Sequence, residues 1–289
     1  MTKDEVITSI KEKLSELLDG VSVEIKVFNK NNNTNYIGVV FSKSDGNFNI
    51  SPIIDISDIV DDVIDDDLSA YDASKKVCQM YKEFKIDTTY ELNLDDIYNT
   101  VFCELINYNM NTDLLQKIPH KRFLDLAIVY RFKPSIELVD GSVLITDDIM
   151  SHFNIEQYEL DALAMRKIKA TSYKVASIMN FISEMIDIEN IPESVSAADD
   201  IMYVCTNKEA IFGANALLCK DIFRTFDCDL YIIPSSVHEL IIVPSTPSMS
   251  AETIKDMIKE VNDTQADERD ILSYSLYIYD RAKDSIRIS

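Results

Sequence analysis

The chain contains 289 residues with 50 acidic and 28 basic side chains, and its formal net charge is −22. Such acidity argues against direct nucleic-acid binding, because the phosphates would be repelled. No apolar run approaches the roughly 18 residues of a membrane-spanning helix, and the five glycines are too scattered to build the phosphate-binding loop of a P-loop, Rossmann or kinase site. The N-terminal segment lacks the apolar stretch of a signal peptide, so we expect a soluble cytoplasmic protein.

The first 86 residues predict a helix, a three-stranded antiparallel meander and a second helix. Residues 2–5 have the form of a capping box, and Asp45-Gly46 is a strong hairpin turn signal. Apolar residues recur at helical spacing over 3–18, and they alternate with polar residues over 21–27 and 37–41. The predicted elements are a helix over 3–18, strands over 21–27, 37–41 and 48–56, and a helix over 57–86.

A linker at 87–94 leads into a longer region of mixed pattern. Apolar segments, one of them a strand over 122–132, alternate with helical patterns, and 192–200 is a polar break. The remaining predicted elements are an apolar segment over 101–108, helices over 110–117, 147–153, 156–169, 173–187 and 250–261, a short strand over 141–145, a strand, helix, strand and strand within 201–243, and a hairpin of 273–279 with 285–288. Hairpins outnumber strand–helix–strand units, so we predict an α+β fold with mainly antiparallel sheets, divided into domains 1–90 and 91–289.

The cysteine count is odd and includes no C-x-x-C pair, which is typical of reduced thiols in a reducing compartment. The three histidines, His120, His152 and His238, lie far apart in the chain and form no zinc-binding spacing. We therefore expect neither a metal nor another cofactor. The cysteines are at positions 78, 103, 205, 219 and 228.

Four blocks of the sequence, 106–132, 206–218, 233–244 and 261–265, match in order and spacing a bacterial family known only as a domain of unknown function. The chain resembles this family over most of its length, although it departs at Cys219-Lys220, where an aromatic residue and a proline are expected. The family occurs mainly in anaerobic Gram-positive bacteria. The resemblance implies one shared architecture and no established activity.

The tip between two apolar runs, 230–233 and 240–243, contains the first candidate site. Such runs are typical of buried strands, and a tip that they support is rigid enough for catalysis or binding. His238 would serve as a general base, with Ser236 as nucleophile or hydrogen-bond donor. The alternative is an ordinary turn, because Pro and Ser form turns readily. The candidates are Ser235, Ser236, His238 and Glu239.

Thr206, Asn207, Lys208 and Glu209 form the second candidate site, between a predicted strand and a predicted helix. Free backbone N–H groups at the helix start would bind an anion together with Lys208. In the alternative, Thr206 and Glu209 form a capping box that occupies those N–H groups. An enzyme built on this loop and the 235–239 tip would require both to meet at one partly buried pocket.

The third candidate is a basic cluster in this otherwise acidic chain. It would bind the phosphate or carboxylate of a ligand. The alternatives are an ion-paired surface, or a dock for the acidic segment 61–67. The cluster consists of Lys117, His120, Lys121, Arg122, Arg131 and Lys133.

Three functions remain open. We prefer a non-enzymatic binding or regulatory protein that acts through protein–protein contact, because no complete catalytic constellation is present. The first alternative is a hydrolase or transferase with its site at 206–208 and 235–239. The weaker alternative is an acidic mimic of nucleic acid that captures a DNA-binding protein. The carboxylates concerned are Asp61, Asp62, Asp65, Asp66, Asp67 and Asp72.

Overall fold

A computed structural model describes residues 1–42, 49–50, 53–83, 90–134, 141–180, 202–245, 250–264 and 266–289. The chain forms two compact units: unit 1 comprises 1–100 and 133–143, and unit 2 comprises 101–132 and 144–289. The domains predicted at 1–90 and 91–289 stay a prediction. The predicted turn at Asp45-Gly46 and the polar break at 192–200 lie outside the described residues.

Unit 1 contains the predicted three-stranded antiparallel sheet, with strand order β1-β2-β4. Of the strand predicted over 48–56, only Ile53–Asp55 belong to this sheet, because Asn49–Ile50 pair with Tyr90–Glu91 instead. The predicted capping box starts α1, where the Glu5 backbone N–H donates to the Thr2 hydroxyl. Val6, Ile10 and Leu14 recur at helical spacing and are buried against the sheet and helices of this unit. The elements are α1 (Lys3–Leu17), β1 (Ser22–Asn29), β2 (Asn35–Ser42), β3 (Asn49–Ile50), β4 (Ile53–Asp55), α2 (Ser57–Ile64), α3 (Ala70–Glu83), β5 (Tyr90–Glu91) and α4 (Leu94–Thr100).

The single helix predicted over 57–86 is wrong, because the chain breaks between α2 and α3. Asp66 adopts a left-handed backbone conformation with φ 61°, which ends α2 and turns the chain. The backbone N–H groups of Asp67 and Leu68 both donate to the Asp62 carbonyl and close this turn. Aspartate is a poor helix former that tolerates the left-handed region, so the acidic run is itself the helix breaker.

The first part of unit 2 is an antiparallel sheet in which β8 lies between β6 and β7. The strand predicted over 122–132 is confirmed for Leu126–Phe132, which form β8, but it is wrong at its start. Arg122 and Phe123 end β7, and the chain turns at Leu124, where φ is 57°. Arg122 and Asp125 therefore lie on opposite sides of a turn and not in one strand. The elements are β6 (Phe102–Asn107), α5 (Thr112–Leu115), β7 (His120–Phe123), β8 (Leu126–Phe132), β9 (Val143–Leu144), α6 (Asp147–Phe153) and α7 (Gln157–Ala170).

The second part of unit 2 is a six-stranded antiparallel sheet of order β10-β11-β13-β12-β14-β15. The apolar runs of β12 and β13 lie in its centre, and the predicted hairpin of β14 with β15 forms one edge. Ile254 and Ile258 of α8 pack on this sheet. The elements are β10 (Tyr173–Ser177), β11 (Tyr203–Asn207), β12 (Leu230–Ile233), β13 (Leu240–Pro244), α8 (Ala251–Thr264), β14 (Tyr277–Asp280) and β15 (Ser285–Ile288).

Two further helix predictions in unit 2 are wrong. The helix predicted over 173–187 begins as the edge strand β10, and 181–190 lies outside the described residues. Aromatic and β-branched residues such as Tyr173 and Val175 favour a strand. In so short a segment the helical and strand patterns look alike, and the pairing with β11 makes it a strand. The helix predicted after β11 is two short 3₁₀ helices, Gly213–Leu218 and Phe223–Thr225.

The structure confirms the α+β class with mainly antiparallel sheets. Cys78, Cys103 and Cys205 are buried, Cys219 and Cys228 are half-buried, and all five carry free thiols. Within the described ranges, none of the helices has the length and apolar character needed to cross a membrane.

Candidate functional site

The two loops predicted as candidate sites, 206–209 and 235–239, meet in the structure. β11 and β13 are antiparallel neighbours, so the end of β11 lies beside the start of β13. The Thr206 hydroxyl donates to the His238 carbonyl at 2.8 Å. The Ala214 backbone N–H donates to the Val237 carbonyl at 3.3 Å. We call this region, formed by Thr206, Phe212, Gly213, His238 and Asp270, the 206–238 junction.

Gly213 makes this close approach possible. A Cβ atom at this position would lie 2.2 Å from the His238 carbonyl oxygen and 2.3 Å from the Thr206 hydroxyl. It would also lie 2.9 Å from the Thr206 Cα, which is a backbone atom of a central strand and cannot move aside. The lack of a side chain at residue 213 is therefore a condition for the junction to form.

The polar side chains of the 235–239 tip bond to each other. The Ser236 hydroxyl donates to the Glu239 carboxylate at 3.3 Å and accepts the His238 backbone N–H at 3.1 Å. The Ser235 hydroxyl donates to the Glu239 carbonyl at 3.5 Å. These bonds have the pattern of a serine-stabilised turn, and none of them joins the Ser236 hydroxyl to the His238 imidazole.

The His238 imidazole lies between an aromatic ring and a carboxylate. Its Nε2 atom is 3.9 Å from an Asp270 carboxylate oxygen, and the Phe212 ring stacks on it at a centroid distance of 6.3 Å. The Val237 backbone N–H donates to the Asp270 carbonyl at 3.1 Å, which fixes the loop that carries this carboxylate. The imidazole Nδ1 atom is buried and has no hydrogen-bond partner in the described part of the chain.

A buried carboxyl group adjoins the junction. Glu104 of β6 is only 8% exposed, and burial raises its pKa. Arg131, 3.4 Å away, and the nearby His238 oppose this rise without cancelling it. Phe102 lies on the same face of β6, two residues before Glu104, and its ring is 5.6 Å from that of Phe212. A raised carboxyl pKa beside a histidine is a feature of both catalytic and structural clusters.

The capping box predicted for Thr206 and Glu209 is wrong. The Thr206 hydroxyl is used by His238, and the following helical turn begins only at Gly213. In between, the Asn207 side chain accepts from the Ile211 backbone N–H at 3.1 Å and donates to the Ile211 carbonyl at 2.6 Å. Because no helix starts beside Lys208, the proposed anion site at a helix N-terminus has no structural basis there.

The basic cluster is divided in the structure. Arg131 pairs with Glu104, and Lys121 lies 3.8 Å from Asp161. The Lys133 backbone belongs to unit 1, where it bonds to the Thr100 hydroxyl. His120 and Arg122 instead contact Tyr108. For the residues that the structure describes, no group of three or more His, Cys, Asp or Glu side chains has an arrangement that could hold a metal ion.

Sequence reasoning missed Phe212, Asp270 and Glu104. Phe212 has a left-handed backbone with φ 56°, which no local signal predicts for a bulky aromatic residue. Glu104 is a charged residue within the apolar run of β6. A charged residue in such a run indicates a buried polar group, and this was the one signal in the sequence that pointed to Glu104. Asp270 lies in a loop, where aspartate is common and carries no information.

The fold and the junction define an α+β protein whose candidate site lies where the loops of two central antiparallel strands meet. The chain belongs to DUF5688, a family of unknown function, whose sequence profile matches residues 2–281. This confirms the resemblance seen in the sequence. No curated protein and no solved structure matches the chain.

Proposed function

We propose that the protein is a non-enzymatic binding or regulatory module that acts through contact with another protein. The observation that carries the proposal is the exposed segment 208–211, which we call the 208–211 loop. Its apolar Ile211 is 45% exposed on a loop that side-chain hydrogen bonds hold in shape. A cytoplasmic location is part of the proposal, and the five free thiols support it.

The shape of this loop is fixed from both ends. The Asn207 side chain forms two hydrogen bonds with the Ile211 backbone. The Phe212 ring packs against the rings of Phe102 and His238. Ala210 and Phe212 both have left-handed backbones, with φ of 51° and 56°. Such conformations cost free energy and persist only where the surroundings enforce them. A loop ordered in advance loses less entropy when it binds a partner, which favours a role in recognition.

The chemistry of the neighbouring tip also favours binding over catalysis. The Ser236 hydroxyl donates to the Glu239 carboxylate and accepts from the His238 backbone N–H, so it is not bonded to the His238 imidazole that was predicted to activate it. Thr206 and Asn207 are likewise used to hold the loops together. Their polar groups stabilise the surface that the 208–211 loop presents.

Replacing Ile211 with Asp is expected to abolish capture of the partner. The new carboxylate would lose its hydration at the apolar centre of the contact. This loss lowers the affinity for the partner by about 2 kcal/mol or more, which corresponds to about thirty-fold or more in the dissociation constant. Ile211 is exposed, so the variant should fold normally. The measurement is affinity capture from a lysate of the producing cells, with mass spectrometry of the retained proteins.

Val27→Asp is the matched control, because Val27 is an equally apolar side chain, 62% exposed, on β1 of unit 1. A partner retained by the wild type and by Val27→Asp but lost from Ile211→Asp supports the proposal. Equal retention by all three proteins would contradict it, as would the absence of any retained partner.

The same experiment separates the nucleic-acid mimic, our weaker alternative. Asp61, Asp65, Asp66 and Asp67 are exposed, and none of them forms an ion pair with a described residue. A mimic would keep its DNA-binding partner in Ile211→Asp and lose it on charge reversal at Asp61, Asp62 and Asp65. The partner would also be displaced by added DNA.

The second candidate function is a hydrolase or transferase at the 206–238 junction, and the Thr206–His238 hydrogen bond favours it by joining the two loops. Here His238, adjacent to Asp270, would act as the base. A turnover screen across hydrolase substrates is then expected to find an activity that His238→Ala reduces by about 100-fold or more. An unchanged rate in His238→Ala, or no turnover at all, removes this candidate.

A further inference from the structure

Tyr108, His120 and Arg122 form a cationic and aromatic surface on one side of the β6-β8-β7 sheet, which we call the Arg122 platform. The Arg122 guanidinium lies 4.5 Å from the centre of the Tyr108 ring, and the rings of Tyr108 and His120 are 6.0 Å apart. His120 and Arg122 are two residues apart in β7 and so project from the same face. The proposed protein contact uses none of these residues.

The Arg122 side chain is held in one orientation. Its Nε atom donates to the Leu124 carbonyl at 3.1 Å, and its plane is supported by the Tyr108 ring. The Tyr108 backbone N–H in turn donates to the Asp125 carbonyl at 3.0 Å. The two terminal Nη nitrogens form no hydrogen bond with a residue that the structure describes, so they remain available as donors. A guanidinium fixed in this way presents the planar pair of N–H groups that matches a carboxylate or phosphate.

His120 is fixed as well. Its carbonyl accepts from the Gln157 side chain at 2.8 Å, which ties β7 to α7. Its ring Nδ1 lies 3.0 Å from the Ile118 carbonyl, so the Nδ1 atom carries the hydrogen. The ring therefore keeps a constant position beside Tyr108, and the platform is a preformed surface on a rigid sheet.

Arg122 is not neutralised, although the chain is strongly acidic. Arg131, Arg224, Arg269 and Arg281 each form an ion pair with a carboxylate. Arg122 forms none with the residues that the structure describes. Its exposed guanidinium is stacked on an aromatic ring instead, a geometry that proteins use to bind anions.

Two carboxylates of the same sheet region have other partners. Asp125, three residues along the chain, accepts hydrogen bonds from Ser273 and Tyr277. Asp161, near Lys121, accepts from the Tyr130 hydroxyl. Both carboxylates accept hydrogen bonds from hydroxyl groups, and neither forms an ion pair with Arg122.

We propose that the Arg122 platform binds the carboxylate or phosphate group of a small ligand. The guanidinium donates two parallel hydrogen bonds to two oxygens of the anion, and Tyr108 holds the guanidinium in the required plane. The ligand is recognised by its anionic group, and this site is separate from the 206–238 junction in its residues.

The test is a titration of the full chain with inorganic phosphate and, separately, with acetate, followed by NMR of backbone and side-chain resonances. Saturable shifts are expected at Tyr108, His120 and Arg122. Arg122→Gln is expected to weaken binding about ten-fold or more, because it removes both charge-assisted hydrogen bonds. Arg122→Lys is expected to weaken it to a similar degree, since lysine keeps the charge and loses the planar donor pair.

Arg287→Gln is the matched control, because Arg287 is exposed and also lacks a carboxylate partner among the described residues. Its affinity for the anion should equal that of the wild type. Tighter binding of phosphate than of acetate, or the reverse, identifies which group the natural ligand carries. The absence of saturable shifts at the platform, or equal losses in Arg122→Gln and Arg287→Gln, would overturn the proposal.

Discussion

Gly213→Ala is expected to destabilise unit 2 by about 3 kcal/mol or more, because the added methyl group overlaps backbone atoms on two sides. The new Cβ would lie 2.2 Å from the His238 carbonyl oxygen and 2.9 Å from the Thr206 Cα. Relief requires β11 and the 235–239 tip to separate, which breaks the Thr206–His238 hydrogen bond. Urea unfolding measures the loss, and hydrogen exchange at Cys205 and Leu240 localises it to β11 and β13.

Gly20→Ala is the control for this substitution. Gly20 has a left-handed backbone with φ 73° and no atom within 4 Å of its virtual Cβ, so alanine there meets strain but no overlap. We expect a loss of about 1 kcal/mol. If Gly213→Ala costs no more than Gly20→Ala, the two loops are not packed as closely as the structure has them.

Asp125→Ala is expected to cost about 3 kcal/mol, because it leaves two buried hydroxyl groups without an acceptor. The Asp125 carboxylate accepts from Ser273 at 2.6 Å and from Tyr277, and both of these residues are fully buried. Burial, together with the charge of Asp125, raises the pKa of Tyr277, so its hydroxyl stays protonated and donates. The measurement is again the free energy of unfolding in urea.

Two further variants test the cause of this loss. Tyr277→Phe combined with Asp125→Ala should recover part of the stability, because one stranded hydroxyl is then absent. Asp267→Ala removes an exposed carboxylate that pairs with Arg269, and it is expected to cost less than about 0.5 kcal/mol. Equal losses from Asp125→Ala and Asp267→Ala would show that Asp125 does not anchor the 273–277 segment.

The sequence reveals the role of neither Gly213 nor Asp125. Gly213 is one of only five glycines, but no turn signal surrounds it. Its role depends on His238, which lies 25 residues later in the chain and whose carbonyl oxygen packs against Gly213. Asp125 follows a short strand and looks like any turn aspartate, yet its partners lie 148 and 152 residues away. Neither role is visible without the long-range contacts.

The candidate site could likewise be predicted only in part. The sequence located the two loops, because apolar runs on either side marked them as the ends of strands. It did not show that Thr206 bonds to His238, that Ser236 is engaged by Glu239, or that Glu104 and Asp270 lie beside the histidine. The capping-box prediction was wrong because the Thr206 hydroxyl donates to the His238 carbonyl, 32 residues away, and does not cap a helix that follows it.

By itself, the sequence determined the α+β class, α1 and its cap, the strands β12 and β13, and the amphipathic α8. These follow from the spacing of apolar side chains, which fixes locally which face of an element is buried. Only the tertiary structure decided that β10 is a strand, that 122–132 contains a turn, and which polar side chains meet at the junction and at the Arg122 platform. Those outcomes depend on hydrogen bonds and packing between segments far apart in the chain, for which local periodicity carries no information.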